Sequence, residues 1–309
     1  MALSLPYSFF IPIILLHLWT NAVFLKKENF KKLTAIKIMI QIGVLECAHL
    51  IFGSLFAGLM AICRTQFHLY FHRMGGAVVT ACWFGMTAFS LLLSVNRFLV
   101  FVGVKMSKSV ESAFYSFFSL MSWLLVAAMI AAHMIPELSV YFSLRFNVYV
   151  FSRSTMCVVV ERVEFQVITA TLILIFVIYL ATVIAIIVQR SGYTQKVKVS
   201  AGETRLLMTS IVSFVYLALI RAGWHFTSNW KLTPIQISFV GLFGDTVGGL
   251  NPALYLIFNK PVRRHFFVIL GLRQENTTVI NLTPPVTATP AVCAGGNART
   301  TRVVELMTP

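Results

Sequence analysis

Long apolar runs separated by short polar segments make up most of the chain. A helix that crosses a bilayer needs about 20 mostly apolar residues, and seven runs reach that length. They cover residues 5–25, 35–62, 75–103, 113–135, 166–189, 206–226 and 234–258. The pattern predicts an all-α membrane protein whose fold is a bundle of seven transmembrane helices.

The first run, 5–25, begins almost at the first residue, so it could also be a cleaved signal peptide. Its apolar stretch is longer than that of a typical signal peptide, and no basic segment precedes it. We therefore interpret it as the first transmembrane helix, and the signal-peptide interpretation stays open.

The composition of the chain changes after the seventh run. Residues 260–271 mix basic and apolar positions, with Pro261 in the first turn and Gly271 at the end. This pattern predicts a short amphipathic helix on the membrane surface. Residues 272–309 are rich in Thr, Pro, Ala and Gly, and we predict a disordered cytoplasmic tail.

Composition supports a lipid environment. The chain of 309 residues is 58% apolar and 11% charged, whereas soluble proteins carry about 25% charged residues. The net charge of +15 does not indicate nucleic acid, because no basic stripe lies within a polar surface.

The basic residues indicate how the chain is oriented. Most of the 25 lysines and arginines lie in the loops 26–34, 103–112 and 190–205 and in the tail. Positively charged loops stay in the cytoplasm. We therefore predict a cytoplasmic tail and an extracellular amino terminus in a multi-pass protein of the plasma membrane.

The chain carries no signature of an enzyme. It lacks paired carboxylates, the HExxH and GxSxG motifs and a phosphate-binding loop. We expect no enzymatic activity, no cofactor and no metal site.

The five cysteines are too scattered to form a disulfide framework. Cys63 and Cys157 both face the oxidising side in the predicted topology, so we predict a disulfide bond between them. Two unpaired thiols are the alternative.

Polar residues in and beside the apolar runs form short motifs. Ser94-Val95-Asn96-Arg97-Phe98 lies near the inner end of the third run, Asn251-Pro252-Ala253-Leu254-Tyr255 lies near the inner end of the seventh, and Glu46 lies in the second. In this order they resemble the Asp-Arg-Tyr motif, the NPxxY motif and the helix-2 acid of rhodopsin-like G-protein-coupled receptors. Trp123 resembles the helix-4 tryptophan.

Departures from that pattern indicate a particular family within these receptors. Asn96 stands in place of the usual acid, His72 in place of the usual bridging cysteine, the fifth run lacks proline and the sixth lacks CWxP. The segments 36–46, 81–97 and 257–264 are similar to nematode serpentine chemoreceptors of class T (Srt). The short amino terminus departs from this family, which leaves open whether the chain begins there.

The resemblance implies a chemosensory receptor that binds an extracellular small molecule and activates a heterotrimeric G protein. Sensory cilia are a candidate location. The coupling residues implied are Asn96, Arg97, Phe98, Glu203, Asn251, Pro252 and Tyr255. Glu203 is a candidate partner for Arg97 or a solvated loop charge, and Glu46 with Asn251 forms a candidate internal polar or ion site.

Two charges in the last two runs point to a ligand pocket without help from the resemblance. Counting about 1.5 Å per residue places Arg221 and Asp245 at similar heights, roughly 20 Å above the inner face. Since buried charges are costly when unpaired, we predict that they pair across helices 6 and 7 and form a pocket with Trp224. Alternatively, Arg221 reaches the outer surface and Asp245 is protonated.

A membrane transporter or ion channel is the second functional hypothesis, since it would also place Glu46, Arg221 and Asp245 in the membrane. It would usually show internal repeats, and the two halves of the chain show none. A structural membrane protein without signalling is a third. The ligand is not identified, although Val79 stands where amine receptors keep an Asp, so a monoamine bound in that way is not expected.

Overall fold

The structure, a computed structural model, describes residues 10–26, 34–104, 106–191, 201–230, 232–258 and 260–269. Most of these residues lie in eight helices. They are α1 (Phe10–Lys26), α2 (Thr34–Cys63), α3 (Leu69–Val102), α4 (Lys108–Met134), α5 (Thr155–Ser191), α6 (Ala201–Asn229), α7 (Pro234–Asp245 followed by Val247–Phe258) and α8 (Lys260–Ile269). The predicted tail, 272–309, lies outside the described residues.

The first seven helices form a bundle, as the hydropathy pattern predicts. Within the described residues, 5 helices, α2 to α6, are long and apolar enough to cross a membrane by themselves. Helix α1 contributes a shorter apolar stretch, Ile11–Phe24, and α7 consists of two halves of 12 residues each.

Two bundle helices depart from regular α geometry. Helix α2 continues as a π-helix over Leu50–Phe56 before it returns to α geometry, and π segments often occur at functional sites. Helix α7 is interrupted at Thr246, and Pro252 lies inside its second half. Since proline removes a backbone donor, this half lacks one helical hydrogen bond.

The helix boundaries follow local signals. Gly103, with a φ of 80°, ends α3 in the left-handed conformation, where glycine has no steric penalty. Thr233 and Gln236 form a capping box at the start of α7. Helix α5 begins at Thr155, well before the predicted run 166–189, because its first turns carry charged residues that lower hydropathy but still form helix.

The segment between α4 and α5 forms a β-hairpin that the hydropathy pattern did not reveal. Strand β1 (Val140–Ser143) pairs antiparallel with β2 (Val148–Phe151), and Val140 lies opposite Phe151. We call this end of the bundle the hairpin face. The opposite end, where Arg97 lies on α3, is the arginine face.

The hairpin extends across the bundle from α4 and α5 toward α2, α3 and α7. The Tyr149 hydroxyl donates to the Phe52 carbonyl on α2 at 3.0 Å, and the Ser238 hydroxyl on α7 donates to the Phe146 carbonyl at 2.6 Å. A Cβ atom on Gly76 of α3 would meet the Val140 carbonyl oxygen. The hairpin therefore covers the helix ends and needs a small residue on α3 beneath it.

Helix α3 is the centre of the bundle and packs on α2, α4 and α5. Its buried face contains small residues such as Ala77, Ala81 and Gly85, which let neighbouring helices approach closely. By contrast, most apolar side chains of α4 and α5 are exposed. Lipid is the solvent for such surfaces.

Helix α8 follows α7 and returns to α1. The Phe266 ring lies 4.9 Å from the Trp19 ring, measured between centroids, while Arg264 is exposed. The two faces of α8 therefore differ in polarity, as the amphipathic pattern predicts.

Candidate functional site

Buried polar side chains in the middle of the bundle connect four helices. Asn251 Nδ2 on α7 donates to Glu46 Oε1 on α2, and Ser213 Oγ on α6 donates to Asn251 Oδ1 at 2.5 Å. His17 Nε2 on α1 contacts the Gly248 carbonyl oxygen on α7 and lies 3.5 Å from Glu46 Oε2. We call His17, Glu46, Asn251 and Ser213 the polar chain.

Burial explains why these side chains meet. Glu46 is 3% exposed, and a carboxyl group at that depth costs several kcal/mol unless hydrogen bonds replace water. Asn251 supplies such a bond from another helix. The structure thus brings together Glu46 and Asn251, the two residues of the internal site inferred from sequence, and it adds His17 and Ser213.

A small cavity lies beside the polar chain. It offers about 40 Å³ to the centres of water molecules, and its polar lining includes Glu46, Ser90, Thr209, Ser213 and Asn251. A buried water needs roughly 10–15 Å³ of such space and two to four polar partners. The cavity therefore has the size and the polarity for a few waters.

Two tyrosines lie near Arg97 at the arginine face. Arg97 is 2% exposed and lies within electrostatic reach of Tyr115 on α4 and Tyr179 on α5. Asn96 is buried beside Arg97, and its side chain lies near the Tyr115 hydroxyl. The polar groups of Asn96, Tyr115 and Tyr179 around Arg97 are therefore uncharged side chains.

Tyr179 extends this region to α6, because its side chain lies beside Ser210. Ser210 in turn donates to the Leu206 carbonyl of its own helix at 2.9 Å. Polar side chains of α3, α4, α5 and α6 thus lie close together around Arg97.

The other predicted coupling residues lie near the same end of the bundle. Pro252 and Tyr255 are buried, and the Tyr255 ring packs against Phe24 of α1 with centroids 5.3 Å apart. Phe98 is half-buried. The side chain of Glu203 lies outside the described residues, so its contact with Arg97 stays a prediction.

The predicted pairing of Arg221 with Asp245 is wrong. Asp245 on α7 faces α2, where its Oδ1 lies 3.3 Å from His49 Nε2. The same oxygen is close to Gly53, because a Cβ atom there would lie 3.3 Å from it. The π segment that follows His49 begins beside this contact.

Arg221 faces α5 instead. Its guanidinium carbon lies 4.5 Å from the centre of the Phe165 ring, and it is within electrostatic reach of Glu164 and Glu161. Helix rotation separates the two charges: one side of α6 faces α5 and another faces α7. Trp224, one turn further along α6, is the predicted pocket residue that does face α7, where its Nε1 would lie 3.3 Å from a Cβ atom on Gly244.

The predicted disulfide is also wrong. Cys63 and Cys157 are both free; Cys63 is exposed and Cys157 is buried. The Cys157 thiol lies in the first turn of α5, beneath the base of the hairpin, 4.0 Å from the Ser139 carbonyl oxygen. Cys63 ends α2, where its thiol is open to the surroundings, so the two thiols occupy different environments.

Sequence reasoning missed the buried histidines. His17, His49 and His133 are each about 1% exposed or less, and each lies within 4 Å of a carboxylate on another helix. All three interrupt or end apolar runs, which was a readable signal. Among the described residues, no group of three or more His, Cys, Asp or Glu could hold a metal ion.

Known proteins resemble the chain in sequence and in fold. The family model for the serpentine type 7TM GPCR chemoreceptor Srt matches residues 5–279. No curated protein sequence matches the chain. Among solved structures, squid rhodopsin is similar, with a TM-score of 0.69 at 15% identity over 89% of this chain and 87% of rhodopsin.

At that identity the likeness to rhodopsin shows the fold alone. The family model covers most of the chain and includes all seven bundle helices, the polar chain and Arg97. The chain therefore belongs to the Srt family of serpentine seven-transmembrane G-protein-coupled chemoreceptors.

Proposed function

We propose that this protein is a chemosensory receptor that binds an extracellular small molecule within the bundle and activates a heterotrimeric G protein. The family description and the rhodopsin-like fold support the general class. The finer statement rests on the buried Arg97, which lies where four helices meet at the arginine face.

Activation would require these helices to separate. Tyr179 on α5 lies beside Ser210 on α6, and Ser213 on α6 donates a hydrogen bond to Asn251 on α7. An outward movement of α6 would break both contacts and open the arginine face. Arg97 would then be accessible to a G-protein segment, and the tail and the basic loops would be cytoplasmic.

The ligand would enter from the hairpin face, which we propose is extracellular. Two groups of polar side chains lie in that half of the bundle: His49 with Asp245 between α2 and α7, and Arg221 with Trp224 on α6. Since Trp224 faces α7 and Arg221 faces α5, a ligand that contacts α6 could alter both interfaces.

The test is a G-protein activation assay with Arg97→Ala. Membranes from cells that express the receptor would be exposed to a panel of volatile and water-soluble odorants, and nucleotide exchange on added Gα subunits would be measured. We expect responses that Arg97→Ala abolishes at unchanged surface expression. Arg162→Ala is the matched control, because Arg162 is exposed near the hairpin face and should leave the response intact.

A full response of Arg97→Ala at normal surface expression would show that coupling does not pass through Arg97. Ion currents that accompany the same odorants without nucleotide exchange would favour a channel instead.

A further inference from the structure

A buried histidine and a buried glutamate connect the base of the hairpin to helix α5. His133, in the last turn of α4, is 0% exposed, and Glu164 on α5 is 6% exposed. His133 Nε2 lies 2.8 Å from Glu164 Oε1, and His133 Nδ1 lies 2.7 Å from the Leu138 carbonyl oxygen. One ring therefore contacts both α5 and the segment that leads into β1.

Proton positions in this contact are restricted by its geometry. The Leu138 carbonyl can only accept, so Nδ1 must carry a proton. Nε2 then either donates to an ionised Glu164 or accepts from a protonated one. Both arrangements place one further proton between the ring and the carboxyl group, and both satisfy every group involved.

The hairpin base contains further contacts that depend on the same segment. Ser154 Oγ donates to the Glu137 carbonyl, and the Ser152 amide donates to the Ser139 carbonyl at 3.0 Å. Cys157 lies beneath Ser139 and is completely buried. Its thiol is thus covered only while the base stays in place.

We propose that His133, Leu138 and Glu164 form a latch that holds the hairpin base against α5 and so positions the hairpin over the bundle. Hydrogen bonds perform this positioning in the absence of a disulfide between Cys63 and Cys157. Glu164 is also within electrostatic reach of Arg221 on α6, so the latch links the hairpin to α4, α5 and α6.

The latch concerns the hairpin alone, so its test does not depend on G-protein coupling or on a ligand. The probe is the rate at which a maleimide modifies Cys157 in isolated plasma membranes. Cys63 and Cys293 are replaced by Ser, while Cys47 and Cys82 are buried in the bundle. In this background we expect Cys157 to be protected.

Glu164→Leu should speed the modification about ten-fold, since it removes a buried hydrogen bond and leaves His133 unpaired. Glu164→Gln should stay close to the wild-type rate, because an amide can still donate to or accept from the ring. Neither Leu nor Gln carries a charge at position 164, so both variants have the same electrostatic effect on the Cys157 thiol. Their difference therefore reports access to the thiol and not its reactivity.

The double variant His133→Leu/Glu164→Leu is the control for misfolding, because it leaves neither a buried histidine nor a buried glutamate without its partner. It should reach the plasma membrane and still expose Cys157, since Leu138 loses its donor. Equal rates in Glu164→Leu and Glu164→Gln would overturn the latch. Retention of the double variant inside the cell would overturn it too, because the pair would then serve folding of the whole bundle.

Discussion

Single residues in this bundle pair across helices because an unpaired polar group is costly in a medium without water. Glu46 with Asn251, Asp245 with His49 and Glu164 with His133 each join two helices. Each pair lowers the penalty that either member would have alone. The pair of Glu46 with Asn251 could be predicted from the sequence, whereas the histidine partners of Asp245 and Glu164 could not.

The polar chain should behave as one unit in stability measurements. We expect Glu46→Leu to destabilise the purified receptor by about 1–3 kcal/mol, because the Asn251 amide loses its acceptor. Glu46→Gln should cost less, since its carbonyl oxygen can still accept. Thermal unfolding in detergent measures both. The double variant Glu46→Leu/Asn251→Leu should cost less than the sum of the single changes, and additive losses would contradict the coupling.

Gly76 on α3 should be required for the hairpin to pack against the bundle. Gly76→Ala places a Cβ atom against the Val140 carbonyl oxygen, and we expect a loss of about 1–3 kcal/mol from this overpacking. Gly223→Ala on α6 is the matched control, because nothing beyond its chain neighbours and the backbone of its own helix lies within 4 Å of its Cβ position. That change should be neutral or stabilising, as alanine favours helix over glycine by about 1 kcal/mol. Equal melting temperatures of the two variants would show that close packing of the hairpin on Gly76 is not required.

Among the elements, the hairpin is the one that hydropathy did not predict. Its strands are only 4 residues long, and two short strands alone are marginally stable in water. Contacts with α2, α3 and α7 stabilise it instead. The early start of α5 serves the same purpose, because Cys157 and Glu164 lie in the additional turns beneath the hairpin base.

Reducing agents should leave this element unchanged. Since Cys63 and Cys157 are both free, we expect dithiothreitol to alter neither the melting temperature of the purified receptor nor its susceptibility to proteolysis in the hairpin. Cys63→Ser should behave like the wild type in the same assays. A clear fall in melting temperature with the reductant would indicate a disulfide that the fold does not contain.

For the whole molecule, the distribution of basic residues predicts which face lies in the cytoplasm. Basic loops resist translocation across the membrane, so the arginine face and the tail should be internal. A tag after Pro309 should bind antibody only after permeabilisation of the cells, whereas a tag before Met1 should bind in intact cells. Staining of the carboxyl-terminal tag in intact cells would reverse the proposed orientation.

The sequence by itself determined the number and order of the bundle helices, the family and the position of Arg97. Hydropathy suffices to predict the helices, because a segment that crosses lipid must satisfy its backbone hydrogen bonds within itself and therefore forms a helix. The motifs around Arg97 and Asn251 suffice for the family because they are local.

Apart from the pair of Glu46 with Asn251, only the tertiary structure decided which polar residues meet. In a soluble helix the apolar side identifies the face turned to the core, but in this bundle the lipid-facing side is apolar too. Helix rotation was therefore not readable, which is why Arg221 lies against α5 and Asp245 against α2. For the same reason the sequence did not show that Cys63 and Cys157 stay unpaired. The depth of Cys157 beneath the hairpin depends on how α5 and the hairpin pack.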